Sequence, residues 1–407
     1  MSGALSHLRV LDLSRVLAGP WCGQNLADLG AEVIKVERPR VGDDTRHWGP
    51  PYLRNDEGCD TSEAAYFLSA NRNKQSLTLD FTQAEGQRLV RELASKSDIL
   101  IENFKVGGLA AYGLDYASLK AINPRLIYCS ITGFGQSGPY AKRAGYDFMI
   151  QGLGGLMSLT GHPDSGEGGG PVKVGVALTD ILTGLYATVA VLAALAHREK
   201  TGEGQHIDMA LLDVQVACLA NQAMNYLTTG VSPKRLGNAH PNIVPYQAFP
   251  TADGDLILTV GNDSQFRKFC EVAGHVEWGS DPRFSSNGQR VAHRAELIPL
   301  IRQVTVFRTT AEWVSVLEAA GVPCGPVNDL EQVFADPQVI ARGLRIDLPH
   351  PLAGSTPQVA SPLRLSASPV EYRQAPPLLG EHTERVLSDV LGLDTSQIAV
   401  LRSQGVI

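Results

Sequence analysis

The sequence predicts an α/β fold, a large Rossmann-like parallel-sheet domain with a smaller α+β domain set into it. Three observations carry this prediction. Short apolar runs alternate with helical patterns through the first half, Gly/Pro turns separate them, and the pattern changes character at Thr228. The first strand is Arg9–Leu13, followed by a Gly/Pro turn and a helix over Trp21–Leu29. A second strand, Glu32–Val36, ends at Glu37. Ser76–Asp80, Ile99–Glu102 and Leu126–Ile131 read as further strands, with helices at Thr82–Ser95 and Asp115–Ile122 between them. Helical crossovers return each strand in the same direction, so this rhythm calls for a parallel sheet. A long apolar helix over Thr179–Lys200, a strand at His206–Met209 and a helix at Leu211–Leu227 complete the first part.

The stretch TTGVSPKRLGNAHPNIVPYQAF, starting at Thr228, is rich in Pro, Gly and Asn and reads as a linker or functional loop. DGDLILTVGN follows as a strand after an Asp-Gly turn. Helical patterns at Asp263–Ala273, Val291–Val304 and Thr310–Ala320 then give the smaller unit. The tail from Gly325 carries Pro-rich connections and an amphipathic helix at Thr383–Leu391. The expected organisation is therefore a large domain over residues 1–227, completed by 326–407, and a small domain with its linkers over 228–325.

A chain of 407 residues has room for two or three domains. Its 35 basic and 42 acidic residues leave a net charge of -7, which argues against DNA, RNA or an anionic membrane as the main partner. The start MSGALSHLRVLDL has neither a cationic head with an apolar core nor an Arg-rich leader, so a cytoplasmic location is expected. The longest apolar stretch, Leu182–Ala196, reads as too short for a membrane span. Six scattered cysteines read as reduced thiols. With no H-E-x-x-H and no Cys/His cluster, no metal is expected.

Several stretches bear on chemistry. Gly133-Phe-Gly135-Gln-Ser-Gly138 satisfies G-x-G-x-x-G after a strand, but no apolar helical period follows, as a dinucleotide site requires. Glu37 stands where a ribose-binding acid would, yet the turn Ser14–Pro20 lacks the glycine spacing. No G-x-S-x-G occurs, which disfavours serine hydrolysis. In Gly175–Leu185, Thr179 is placed to cap the following helix, with Asp180 in its first turn. Unpaired N–H groups and the positive dipole end there favour an ionised carboxylate, which a nucleophilic aspartate requires. The same placement also fits an acid that merely stabilises a helix start. Gly145-Tyr146-Asp147 offers a phenol and a carboxylate, or a packed tyrosine and a helix cap. Arg38, Arg46, Arg72 and Lys74 lie near strand ends, where a parallel sheet opens its ligand crevice, and are candidates to hold phosphates or substrate carboxylates.

Ordered segments then resemble the class III CoA-transferases, the family of formyl-CoA transferase, carnitine CoA-transferase and the α-methylacyl-CoA racemases. They include RVLAGP (Arg15–Pro20), DLGAEVIKVERP (Asp28–Pro39), GDDTR (Gly42–Arg46), NRNK (Asn71–Lys74), ENF (Glu102–Phe104) and SITGFGQSGP (Ser130–Pro139). RAGYD (Arg143–Asp147), TDILTG (Thr179–Gly184), TGEGQHID (Thr201–Asp208), GVPCGPV (Gly321–Val327) and PPLLGEHT (Pro376–Thr383) continue the series. WGPP (Trp48–Pro51), AHPNIVPYQAF (Ala239–Phe249) and FADPQV (Phe334–Val339) resemble the succinyl-CoA:glutarate branch.

The resemblance implies that Asp180 is a nucleophile that forms an aspartyl-CoA thioester. It places CoA against Val16, Ala18, Arg38, Leu79, Asn103 and Phe104, with Tyr146 and Asp147 beside the nucleophile. Trp48 and Tyr66 are implied on the side of the acyl substrate, where Arg46 is placed as well. The loop Gly237–Asn242 reads as a replacement lid, with His240 either a contact for a distal carboxylate or a structural loop histidine. CoA thioesters and small dicarboxylic acids are then the substrates, with no permanently bound cofactor, and the assembly is an interlocked homodimer. Oxyanions would be met by backbone N–H groups of the helix start and the glycine loops. Leu17 stands where formyl-CoA transferases carry glutamine, and their long glycine run is missing, which disfavours oxalate or formate. Two rival readings remain, a racemase-like enzyme and a non-catalytic CoA-binding protein. Racemases carry histidine where this chain has Tyr146, whose ordinary pKa of about 10 suits a proton shuttle poorly.

Overall fold

The computed structural model describes residues 3–164 and 168–407. Six strands form the main sheet: β1 (Arg9–Asp12), β2 (Glu32–Glu37), β3 (Lys74–Thr78), β4 (Ile99–Glu102), β5 (Ile127–Thr132) and β6 (His206–Ala210). Their order across the sheet is β3-β2-β1-β4-β5-β6, and every pairing is parallel. The inner strands are buried along nearly their whole length, which is why they read as continuous apolar runs rather than as alternating ones.

Successive side chains of a strand point to opposite faces, and the two cores divide accordingly. Val10, Val33, Ile101 and Ile131 pack with α1 (Ala18–Asp28), α4 (Asp147–Leu153) and α5 (Leu178–Thr201). Leu11, Ile34, Leu77 and Leu100 pack on the other face, with α2 (Ala84–Ser95) and α3 (Tyr116–Ile122). That second core also takes Leu387 and Leu401, so the C-terminal residues complete the large unit. Between β1 and β4 the strand order reverses. Loops leaving these two strands part at their C-terminal ends, which leaves a crevice.

The chain divides into two compact units: Met1–Gly155 with Val174–Ala223 and Gln338–Ile407, and Leu156–Lys173 with Met224–Pro337. Residues 156–164, 168–173, 224–227 and 326–337, expected in the large domain, thus lie in the second unit. That unit is built on an antiparallel sheet of β7 (Tyr246–Pro250), β8 (Asp255–Thr259) and β9 (Cys324–Pro326), in the order β9-β8-β7. Phe249, Leu256, Phe266, Phe269 and Trp313 form its core.

Three expectations need correction. The helix expected over Leu211–Leu227 is two, α6 (Leu211–Ala217) and Ala220–Thr229, broken where Ala220 takes a φ of 46°. Two antiparallel hairpins escaped the sequence reading, Tyr52–Arg54 with Asp60–Ala64 and Arg345–His350 with Gly354–Val359. Their exposed polar residues give no apolar run. Helix α5 is longer than the apolar stretch read from the sequence: it runs 24 residues and contains an 18-residue window of mean hydropathy 1.8, enough by length and composition to cross a membrane. In the large unit it packs along α1. Among its buried positions, Thr183, Gly184, Ala187, Thr188, Val191 and Ala194 include several small residues that allow the two helices a close approach.

Gly184 sets that approach. A Cβ placed there would lie 2.7 Å from the Ala18 carbonyl oxygen and 2.9 Å from Trp21 Cβ. Gly184→Ala should therefore lower stability by about 1–3 kcal/mol in thermal denaturation, because backbone must move. Gly288→Ala, where a Cβ meets nothing within 4 Å, should not lower it.

Candidate active site

The crevice at the C-terminal ends of the strands holds a cleft of about 720 Å³. Val16 enters it from the loop after β1, Ala18 from the start of α1, Arg38 from the end of β2, Leu79 from the end of β3, and Asn103 and Phe104 from the end of β4. Tyr146 and Asp180 line the same cleft. Residues far apart in the chain, from Val16 to Asp180, therefore meet in one place, as the strand-order reversal requires.

Asp180 is the third residue of α5. The expected capping by Thr179 is not what is found. Ala177 is the N-cap residue and makes no side-chain bond, and the Thr179 hydroxyl donates to Gln215 Oε1 at 2.6 Å. The helix start is served instead by Asp147, the first residue of α4. Its Oδ1 accepts the N–H of Thr179 at 2.8 Å and that of Asp180 at 3.3 Å. Its Oδ2 accepts from Gln151 Nε2 at 2.7 Å, and Gln151 Oε1 accepts the Val174 N–H at 2.9 Å. Asp147 is buried and stands behind the cleft rather than in its lining.

This arrangement reverses the expected effect on Asp180. Burial, and next the negative charge of Asp147, push its carboxyl up from 3.8 to about 7. The amides that would have favoured its ionised form are spent on Asp147. A carboxylate this basic is a stronger nucleophile once ionised, and perturbed acids of this kind concentrate at functional sites. The same hydrogen bonds remove the Thr179 and Asp180 amides as oxyanion donors, against expectation.

In the glycine motif after β5, Gly133 serves packing. No helix begins in it, and the next, α4, starts at Asp147. A Cβ on Gly133 would lie 2.6 Å from Gly145 Cα, so the two loops touch backbone to backbone and bring Tyr146 to the cleft. Glu37 is not a ribose-binding acid either, since Arg46 holds it at 2.8 Å through both Nε and Nη2.

That ion pair corrects the reading of Arg46 as a substrate ligand. Arg46 is buried, donates further to Glu63 and the Pro377 carbonyl, and stacks 3.6 Å over the Phe67 ring. Arg72 is likewise held by Asp28, and buried Lys74 donates to Asp12 and Asn71 at 3.0 Å. A buried cation needs its charge matched, and all three are matched inside the fold. Of the four basic candidates only Arg38 reaches the cleft.

Arg143 and Lys105 also line the cleft, and the sequence reading missed both. Arg143 lies 4.5 Å over the Tyr140 ring. Its position in RAGYD was the available signal.

Trp48 and Tyr66 meet edge to face, with ring centroids 5.2 Å apart, and neither is among the residues lining the cleft. Burial, then the charges of Asp180 and Asp147, push the Tyr66 phenol up to about 12, which puts it within electrostatic reach of the nucleophile candidate. His240 lies in the second unit. Its Nδ1 accepts the Asn242 N–H at 3.1 Å and its ring packs 5.2 Å from Tyr246, so it organises its own loop. Burial and Arg294 lower its pKa, which weakens it as a carboxylate ligand.

The raised Asp180 carboxyl carries a stability cost with a defined sign. From about pH 4 to 7 the unfolded chain loses this proton while the folded chain keeps it, so stability falls as pH rises and the cost is complete above 7. Asp180→Asn should stabilise the protein by about 2–4 kcal/mol at pH 8 and by little at pH 4, read from thermal melts at both values. An equal gain at both pH values counts against the assigned cause.

Comparison with known proteins supplies the family. Residues 5–383 match CoA-transferase family III. A succinate–glutarate CoA-transferase of Agrobacterium fabrum is 54% identical over 95% of both chains. A human succinyl-CoA:glutarate CoA-transferase is 44% identical over 99% of this chain and 90% of its own length. Among solved structures, a CAIB/BAIF family protein from Brucella suis superposes with a TM-score of 0.84 at 52% identity, covering 96% of this chain and all of its own. Rv3272 of Mycobacterium tuberculosis superposes at 0.81 with 31% identity, over 94% of this chain and 98% of that one. With the sheet, the cleft and the Asp180 helix start in place, this chain belongs to CoA-transferase family III.

Proposed function

We propose that this CoA-transferase moves CoA from succinyl-CoA to glutarate or a similar short dicarboxylic acid, with Asp180 as the nucleophile. The single observation that carries the reading is Asp180 itself, an unusually basic carboxylate at a helix start, bordering a cleft at the sheet's switch point. The relatives named above support the substrate pair.

Four exchanges at Asp180 account for the reaction. Its carboxylate attacks the donor thioester carbonyl, giving a mixed anhydride and CoA thiolate. The thiolate attacks the aspartyl carbonyl and releases the donor acid as a carboxylate, leaving an aspartyl-CoA thioester. The acceptor carboxylate then attacks that thioester and frees the thiolate. Thiolate finally takes the acceptor acyl group and restores the Asp180 carboxylate. Each step trades one activated carboxyl for another, so the exchange balances without a net proton.

Val16, Ala18, Leu79, Asn103 and Phe104 would wall the coenzyme, and Arg38, Lys105 and Arg143 would meet its phosphates. Tyr146 lines the cleft and is 66% exposed, the position of the histidine that a racemase would need.

The site reading is tested directly. Asp180→Ala should abolish transfer, with a loss of at least about 10⁴-fold, and keep CoA binding. Mass spectrometry of the native enzyme with succinyl-CoA should place a CoA adduct on the peptide carrying Asp180. In the native enzyme kcat/KM for the donor should rise about tenfold per pH unit below 7 and then level. Retained transfer in Asp180→Ala rejects the assignment.

The chain is also proposed to act as a homodimer. Helix α5 presents Leu185, Tyr186, Val189 and Leu192 to solvent, with Val189 62% exposed, and Phe148 and Leu153 of α4 are exposed too. Apolar side chains at this helical spacing call for a cover. Val189→Glu should shift the sedimentation profile towards monomer and lower activity by at least about tenfold. A fully active monomer at low concentration overturns this proposal.

A further inference from the structure

One peptide unit in the wall of the cleft is gripped from both ends. The Arg15 carbonyl oxygen accepts from Asn103 Nδ2 at 2.7 Å. In the same peptide the Val16 N–H donates to the two oxygens of Asp43, at 3.2 and 3.3 Å. Asn103 Oδ1 also accepts the Arg15 N–H at 2.9 Å, so its amide is engaged on both sides by this loop. Val16 has a φ of 72°. A β-branched residue rarely adopts this left-handed conformation, and such strain persists only where its surroundings impose it. Flipping the peptide would return Val16 to the extended region and break both grips.

Asp43 is itself held rigidly. Its carboxylate meets Lys35 Nζ at 2.8 Å, with both side chains fully buried, and accepts the N–H and hydroxyl of Thr45 at 3.0 and 2.8 Å. Lys35 also donates to the carbonyl oxygen of Ser14, the residue before the gripped loop, at 2.8 Å. The loop it fixes is functional ground. Val16, Leu17 and Ala18 line the cleft that Asp180 borders, and the Ala18 carbonyl oxygen lies against Gly184 on the Asp180 helix.

We infer that Asp43 and Asn103 are positioning residues for CoA transfer, which together hold the Arg15–Val16 peptide in its strained orientation and thereby fix the cleft wall. This rests on the reading of the cleft as the site of transfer. It also gives Asn103 a duty apart from any contact with a ligand.

The test uses Asp43→Ala and Asn103→Ala, each alone and combined with Val16→Gly. Glycine adopts positive φ without strain, so it needs no grip to stay there. Asp43→Ala should lose about tenfold or more in kcat/KM when Val16 is native, and less than about threefold relative to Val16→Gly when combined with it. Asn103→Ala, which also removes a residue of the cleft wall, should lose clearly more in the native background than in the Val16→Gly one. Hydrogen exchange of the peptide Leu13–Trp21, read by mass spectrometry, should be faster in each single variant than in the native chain. Equal losses in both backgrounds, or unchanged exchange, overturn the inference. Asn103→Ala leaves the Lys35–Asp43 pair intact and decides the matter if Asp43→Ala does not fold. Should Asp180→Ala retain transfer, the site reading fails, while the exchange measurement still judges the grip on its own.

Discussion

Two carboxylates compete for one helix start. The amides at the beginning of α5 can be given to one of them, and Asp147 takes them. Asp180 is left with burial and a neighbouring negative charge, and its proton is held to about pH 7. A free helix start would have done the opposite. The chemistry proposed for Asp180 follows from this division: one acid is a fixed acceptor of hydrogen bonds, and the other is kept basic enough to attack a thioester.

The rest of the large unit serves to hold that division in place. Helix α5 can begin beside the sheet only because Gly184 lets it approach α1 at Ala18 and Trp21. Asp147 reaches it only because Gly133 and Gly145 let two loops touch. Both contacts would be blocked by a single methyl group. Gly133, the first glycine of the stretch that resembles a dinucleotide signature, is thus spent on protein packing.

In and behind the cleft wall lies a set of matched buried charges. Asp12 pairs with Lys74, Lys35 with Asp43, and Glu37 with Arg46. Burial lowers Lys74 to about 8 even though Asp12 opposes it. Charges so placed contribute little net stability, because desolvation offsets attraction, but they allow few alternative arrangements. Their partners are backbone groups after β1 as well as each other: in the loop Lys35 reaches Ser14 and Asp43 reaches Val16, and in the first turn of α1 Lys74 reaches Pro20. A polar cluster of this kind looks like a ligand site in the sequence and is a scaffold in the structure.

The chain itself was enough to determine the alternation of strands and helices, the helices Asp263–Ala273 and Thr383–Leu391, and the membership that so many ordered motifs imply. These are local matters of periodicity, capping and motif order, written within a few residues of each other. Even here a signal went unread, since Asp394 and Gln397 spell the capping box of a last helix, Thr395–Ser403. Tertiary structure alone decided which charges are free. Arg38 and Arg46 look alike in sequence, but Glu37 and Phe67 close around one of them and leave the other at the cleft. It also decided the state of Asp180, because the acid that takes its helix amides lies 33 residues away in the chain. Burial and partner choice depend on what packs alongside, and no window along the sequence contains that information.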